Sequence, residues 1–465
     1  MRVALIDPKG STKGLNTGLG YICSSLLSNC TLDELRVFDF NNSDEPFQKK
    51  LAKIKGYDLV GVSVKSFTKR NALEIIREIR PYNKVVVAGG PHCATDELKF
   101  LQDNEDIDIV VPSEGEKVAV ELIDWLSSKK CLEEVQGISY KNNGEPTAPP
   151  CRPLEKDLDS LPFPDYTCFD SVNAMYNYPL ITSRGCPYKC TFCSVSKVAG
   201  RKWRYRSIEN VIEELKIAQK RYHFHEFEIL DDNFTLNMKR AKEFSQALIE
   251  QELNMKWSCP NGIRADRVDE ELLTLMKKAG CYLIMFGIES GDEKIFNSIN
   301  KGESLEQVRR VIQFAQKIGI CVRASFIIGL PGSDMASFKK SLTFAEKLKL
   351  SSAGWNILVP YPTTEVYDWM LREAKILHPW EEGFHFGIIP KPTFETNTFS
   401  EKEMIRAYFI GNIRCKNYRG LIDHSKGTAF NAWRMGKLVL KYDPLNSPVH
   451  IFEMLKIALK KILRK

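Results

Sequence analysis

Short β-branched runs alternate with helix-length stretches along most of the chain, and this alternation limits the possible folds more than any other feature. In the first part, VALID (3–7), RVFDF (36–40), LVGVSV (59–64), VVVAGG (85–90) and IDIVVP (107–112) are interleaved with stretches such as GYICSSLL, ALEIIREIR and VAVELIDWL. Strands spaced by helices in this way build a right-handed, doubly wound parallel α/β sheet, so residues 1–135 are expected to form a Rossmann-like domain. Several strand ends run into turns rich in Gly and Ser: DPKGSTKG, SVKS, AGGPHCATD and PSEGEK. Open parallel sheets bind ligands beside those carboxyl ends.

The pattern pauses over residues 136–178. GISYKNNGEPTAP reads as a β-hairpin, and PPCRPLEKDLDSLPFPDY is too rich in proline for regular structure, so this stretch is read as hairpin and linker. From 179 to 375 the βα units resume, with strands in PLITS, FEILDDNF, KWSCPNG, YLIMFGIES, VRASFIIGLPG and AGWNILVPYP. Such a set is too short for a closed eight-stranded barrel and suits a partial (β/α)6 TIM barrel, whose strand ends face one mouth. Residues 376–465 are expected to be mostly helical, with one helix capping that mouth. The final HIFEMLKIALKKILRK places Ile451, Leu455, Ala458, Leu459 and Ile462 on one face and Lys456, Lys460, Lys461 and Arg464 opposite or flanking. Such a helix either docks on its own domain or makes peripheral contact with an anionic membrane surface.

No apolar run approaches the roughly 20 residues that a membrane span needs. The start, MRVALIDPKG, reads as strand and turn without the features of a secretory leader, so a cytoplasmic location is expected, with the inner membrane face as the place of any peripheral contact. In a reducing compartment, 13 cysteines point to metal, redox or packing roles ahead of disulfides. A net charge of +7 is modest for 465 residues and does not argue for nucleic acid.

Three of those cysteines lie close together in TSRGCPYKCTFCSV (182–195), as Cys186, Cys190 and Cys193. Thiolates favour zinc or an iron-sulfur cluster. The loop lacks the paired C-x-x-C or Cys/His sets usual for structural zinc. Three thiols without a fourth leave one iron of a four-iron cluster free for another ligand. Cys259, Cys281, Cys321 and Cys415 read as buried packing residues.

The spacing C-x-x-x-C-x-aromatic-C, with Phe192 before Cys193 and the loop following the first strand of a partial barrel, resembles the signature of the radical S-adenosylmethionine (radical SAM) superfamily. The resemblance implies a 4Fe-4S cluster on Cys186, Cys190 and Cys193, with SAM chelating the fourth iron. Electron transfer to the sulfonium would release methionine and a 5′-deoxyadenosyl radical. It also implies that Asp231, Asp232 and Asn233 face the methionine end of SAM, that Glu289 in FGIESG meets the ribose hydroxyls, and that Ile327 to Gly329 in FIIGLPGSD contact adenine. Asp334 stands where that last motif usually has Glu. An N-cap role is the alternative for the residues at 231–233.

Residues 1–135 placed before such a core resemble the cobalamin-binding domain of the cobalamin-dependent radical SAM enzymes. The matching segments are LNTGLGYICSSLL, VSVKS, AGGPHCATDEL and VPSEGEKVAVEL, so the resemblance implies cobalamin contacts from Gly18, Gly20, Ser63, Gly89, Gly90, His92 and Glu114. Asp7-Pro8-Lys9-Gly10 carries no histidine where other cobalamin families place their cobalt ligand, so cobalt would have no protein histidine on its lower face. An exposed turn is the alternative for His92. The implied activity is methylation of an unactivated carbon of a small or lipid-like metabolite, with flavodoxin or ferredoxin as electron donor. Cobalamin-dependent cyclisation or rearrangement without methyl transfer uses the same cofactor sites and stays open. Methylthio transfer to transfer RNA would need a second three-cysteine set, which Cys23, Cys30 and Cys93 do not resemble, and a non-catalytic sensor would need no SAM pocket.

Overall fold

The computed structural model describes residues 1–10, 13–384, 390–422, 428–444 and 450. Apart from His450, the amphipathic segment expected over 450–465 lies outside them. The chain divides into two compact units: residues 1–187, 194–234 and 250–256 form the first, and 188–193, 235–249 and the described residues from 257 onward form the second.

The first unit is built on β1 (Arg2–Asp7), β2 (Glu34–Asp39), β3 (Leu59–Ser63), β4 (Val85–Gly89), β5 (Ile109–Val111), β6 (Ser139–Asn142) and β7 (Glu145–Thr147), in the order β2-β1-β3-β4-β5-β6-β7. Strands β1 to β5 are parallel, joined through α1 (Thr17–Asn29), α2 (Phe47–Leu51), α3 (Lys69–Ile79) and α4 (Glu97–Gln102), and α5 (Glu116–Leu126) follows β5. The order 2-1-3-4-5 is the flavodoxin-like variant of the doubly wound sheet, with its switch point between β1 and β3. Alternate strand residues explain why helices cover both faces. Ala4, Ile6, Val60, Val62 and Val86 pack with Leu51, Ala72, Ile75, Ile76 and Phe100, while Val3, Leu5 and Val87 are equally buried on the other side, left to the packed pair α1 and α5. Each buried Val, Leu, Ile or Phe among them contributes about 1.5–3 kcal/mol. The hairpin expected at the start of the linker is β6–β7, and it extends the sheet, because β6 pairs antiparallel with β5.

The first unit also holds β8 (Tyr178–Leu180), β9 (Ser183–Arg184), β10 (Arg204–Tyr205) and β11 (Glu226–Ile229), with α6 (Val195–Val198) and α7 (Ile208–Tyr222); β8 and β11 pair in parallel. In the second unit β12 (Lys256–Ile263, all but its first residue), β13 (Cys281–Glu289), β14 (Cys321–Ile328) and β15 (Ser352–Ile357) form a parallel run. Its helices are α8 (Met238–Glu250), α9 (Glu270–Lys278), α10 (Glu293–Ser298), α11 (Leu305–Lys317), α12 (Met335–Lys347), α13 (Glu365–Glu373), α14 (Glu401–Arg414) and α15 (Thr428–Tyr442).

Helix α14, expected at the strand ends, packs along β15, which ends the run. An edge strand leaves N–H and C=O groups unpaired. Asn412 meets that need with one side chain: its Oδ1 accepts from Trp355 N at 3.1 Å and its Nδ2 donates to Trp355 O at 2.8 Å. The helix can come this close because residue 411 is glycine; a Cβ there would lie 2.5 Å from the Trp355 ring. Asn412→Leu therefore strands two buried backbone groups and is expected to cost about 1–3 kcal/mol, read as a lower urea midpoint with an unchanged slope.

Candidate functional site

All thirteen cysteines are unbridged. Cys186 belongs to the first unit, and Cys190 and Cys193 to the second. All three are half-buried, whereas Cys259 and Cys281 are fully buried; Cys321 and Cys415, read as buried, are only half so. Among the described residues no three His, Cys, Asp or Glu side chains draw together tightly enough to hold a single metal ion. A four-iron cluster is wider than one ion and takes its thiolates from positions farther apart than a single metal ion does.

The backbone around the thiols is fixed on both sides. Gly185 has φ +88°, and a Cβ there would stand 2.6 Å from Lys202 O and 3.0 Å from Ala199 O, so only glycine fits before Cys186. Cys186 N then donates to Gly200 O at 3.2 Å. In the second unit, Thr191 N donates to Ile299 O at 3.2 Å and Thr191 O accepts from Val366 N at 3.2 Å. Tyr188 lies under Arg264, whose guanidinium carbon is 3.5 Å from the ring centre, and its hydroxyl accepts from Arg267 Nε at 2.7 Å.

The acidic run after β11 divides by role. Asp231 is buried, accepting from Thr182 N, the Thr182 hydroxyl and the Ser183 hydroxyl, each at 2.6 Å. It holds the strand that leads into the cysteine loop. Asp232 accepts from Gly185 N at 2.9 Å, and desolvation by the surrounding protein raises its carboxyl pKa although part of the side chain reaches the surface. Asn233 is buried, and neither its Oδ1 nor its Nδ2 has a partner among the described residues. An orphaned buried amide is costly unless a bound group or an ordered water satisfies it. None of the three acts as the N-cap considered for them.

In the second unit Glu289 ends β13 with φ +65°, a backbone region that non-glycine residues seldom occupy. Its buried carboxylate is 3.6 Å from Lys301 Nζ, and Lys301 also meets Glu303 at 3.2 Å and the Gly287 carbonyl. Burial raises the Glu289 carboxyl pKa, with Lys301 opposing. For Lys301 burial opposes the charge, but Glu289, Glu303 and Cys190 outweigh it and raise the ammonium pKa. Sequence reasoning missed Lys301, twelve residues beyond Glu289 on no shared motif. Ile327 pairs with Asn356 in β14–β15. Gly329 (φ +90°) turns under Met404 and Phe394, and Asp334 caps α12 by accepting from Ser337 N at 2.7 Å.

At the β1/β3 switch point, the Asn16 amide donates to Asp7 at 2.8 Å and to the Ser63 hydroxyl at 3.0 Å, and Lys65 pairs with Asp7 at 3.1 Å. Asp7 Oδ2 is buried without a hydrogen-bond partner among the described residues, and burial raises that carboxyl pKa. Gly18 has open space around it, its nearest neighbour being the Asn16 amide oxygen at 3.4 Å, and Gly89 meets only Val111 at 3.7 Å. Gly20 and Gly90 answer to packing: a Cβ would stand 2.8 Å from Tyr166 and 2.9 Å from Val64 O. His92 is buried, with Nδ1 3.2 Å from the Ser66 hydroxyl and its ring edge-on to Phe100, so it is not an exposed turn histidine. Glu114 is engaged by Arg184 (3.0 Å), Arg204 (2.8 Å) and Glu155 N (2.8 Å). It thus steadies Arg184, two residues before Cys186.

Residues 180–345 match the model of the radical SAM superfamily. An uncharacterized methyltransferase of Pyrococcus horikoshii is 33% identical over 414 residues, covering 87% of this chain and 89% of that protein. The anaerobic magnesium-protoporphyrin IX monomethyl ester cyclase of Rubrivivax gelatinosus is 27% identical over 390 residues, 79% of this chain and 69% of the cyclase. Among solved structures, the radical S-adenosylmethionine methyltransferase TsrM from Kitasatospora setae, with cobalamin and a 4Fe-4S cluster bound, superposes with a TM-score of 0.66 at 18% identity over 78% of this chain and 76% of that one.

Proposed function

The chain belongs to the family of cobalamin-dependent radical SAM enzymes, and from that premise we propose that it methylates an unactivated carbon of a small or lipid-like metabolite. Membership brings SAM and a 4Fe-4S cluster as cofactors. The observation that carries the reading is the three-thiol loop without a fourth cysteine, entered through Gly185, whose N–H is held by Asp232 beside the unpartnered amide of Asn233. In this reading the strands β8 and β11 to β15 belong to a partial barrel over 179–375, preceded by a cobalamin domain at 1–135.

Cys186, Cys190 and Cys193 would hold three irons, and Asn233, with Asp232 beside it, would meet the methionine end of SAM. The carboxylate of Glu289, fixed by Lys301, would accept from the ribose hydroxyls, and the backbone from Ile327 to Gly329 would line the adenine. Asp7, Gly18, Ser63 and Gly89 would border cobalamin at the switch point, where the open space and the orphaned Asp7 oxygen suit a planar group with polar fringes. When bound, the cluster and SAM supply the radical that removes a substrate hydrogen, and cobalamin supplies the methyl group. An external one-electron donor such as flavodoxin or ferredoxin completes the system. No helix among the described residues is long and apolar enough to cross a membrane. Cyclisation without methyl transfer is the second reading, supported by the likeness to the magnesium-protoporphyrin ester cyclase.

His92 is buried, with Nδ1 on Ser66 and its ring edge-on to Phe100, and in this reading it is not a ligand to cobalt. Loaded anaerobically, the protein is expected to give a Co(II) electron paramagnetic resonance spectrum that is unchanged in His92→Ala, any nitrogen splitting in it coming from the cofactor's own base. Nitrogen splitting that disappears in His92→Ala would make His92 the ligand, and failure to take up cobalamin would remove the methyl carrier from the account.

A further inference from the structure

Helix α15 buries one face and leaves the other bare. Asn431, Met435 and Val439 form its buried side, and Tyr442 stacks on Phe409 of α14 with ring centres 4.8 Å apart. On the opposite side Phe430, Trp433 and Leu440 fall at i, i+3 and i+10, a single stripe, and stay 41%, 57% and 59% exposed. Lys437 completes the stripe at i+7, with its ammonium 4.0 Å from the centre of the Trp433 ring, and Phe430 lies 5.9 Å from Trp433. The fifteen residues of the helix include Arg434, Lys437 and Lys441 and no Asp or Glu.

We propose that the Phe430, Trp433 and Leu440 stripe of α15, flanked by Lys437 and Lys441, seats in the headgroup layer of an anionic lipid surface. Aromatic and aliphatic side chains edged by cations, with no acidic residue, have the composition of an interfacial helix. Charge decides between occupants. Residues 451–465 carry Lys456, Lys460, Lys461, Arg464 and Lys465 against Glu453 alone, so this tail would meet like charge on α15. A second copy of the chain on a two-fold axis would set Lys437 and Lys441 against themselves. Anionic lipid complements both the stripe and its cations. Leu440 and the aliphatic stem of Lys437 favour acyl chains over the stacked bases of a nucleic acid. The proposal does not depend on the chemistry assigned to the thiols.

The test is sedimentation of the full chain with vesicles of equimolar phosphatidylglycerol and phosphatidylcholine, compared with phosphatidylcholine alone. The chain is expected to partition to the anionic vesicles only. The double variant Trp433→Glu, Leu440→Glu should lose roughly tenfold or more of that partition. Lys437→Gln and Lys441→Gln should each lose about fivefold at low ionic strength and much less at high salt. These side chains are exposed, so thermal unfolding of the variants should match that of the parent. Equal partition of the parent and the Trp433/Leu440 variant overturns the proposal, leaving the tail or no surface at all as the binding element. It is also overturned if the parent ignores the vesicles but binds a single-stranded oligonucleotide, or if that variant converts a dimer to a monomer.

Discussion

Replacing Cys186, Cys190 or Cys193 singly with alanine is expected to abolish both the brown chromophore of the reconstituted protein and all SAM cleavage, while Cys259→Ala keeps its full iron. The thiolate, not the thiol, binds iron. The three loop thiols are half-buried; in the first unit Gly185 fixes the backbone before Cys186, and in the second Thr191 between Cys190 and Cys193 bonds to Ile299 and Val366. Cys259 is buried in β12, and at Cys281 burial pushes the thiol up to about 12, where it stays protonated at neutral pH. Iron counted per chain and deoxyadenosine measured by chromatography check the expectation. A single loop variant that retained four irons and cleaved SAM would show the ligand assignment to be wrong.

The second large effect belongs to Lys301. Lys301→Met leaves Glu289 and Glu303 buried without their shared cation, and removing one partner from a buried ionic group typically costs about 3–5 kcal/mol. Lys301→Arg, which keeps the charge, should restore most of the loss. Calorimetric unfolding of the protein without cofactors reads this directly, since the pairs exist within the fold itself. An unchanged midpoint in Lys301→Met would mean that water already satisfies both carboxylates. In the loaded enzyme the same change should weaken SAM binding, because the Glu289 carboxylate loses the group that fixes it.

The strands are readable because β-branched runs fall between helical stretches, and each run named from the sequence overlaps a strand of the structure, although several, such as FEILDDNF and IDIVVP, are strand over half their length or less. The cysteine loop was readable because its chemistry depends on local spacing. Contacts between distant residues left no such trace. Glu114 finds Arg184 and Arg204 at separations of 70 and 90 residues, and nothing in PSEGEK distinguishes an ion-paired glutamate from one facing a ligand. Gly20 and Gly90 look like Gly18 and Gly89 in sequence, yet the first two are required by Tyr166 and Val64, which only the packed structure reveals. Asn412 reads as an ordinary helix residue until Trp355 of β15 is placed beside it. The division among Asp231, Asp232 and Asn233 follows the same logic: Asp231 and Asp232 hold the strand and turn before the cysteines, while the Asn233 amide has no partner among the described residues.

The central claim is that the methyl group of SAM passes through cobalamin held by this chain. It is tested most directly by incubating the fully loaded protein anaerobically with a one-electron reductant and SAM bearing a trideuterated methyl group, then extracting the cobalamin for mass spectrometry. The account predicts methylcobalamin carrying the deuterated methyl group, with an equal amount of S-adenosylhomocysteine. Cobalamin that stays unlabelled while SAM is cleaved to deoxyadenosine and methionine would contradict methyl transfer and favour cyclisation or rearrangement.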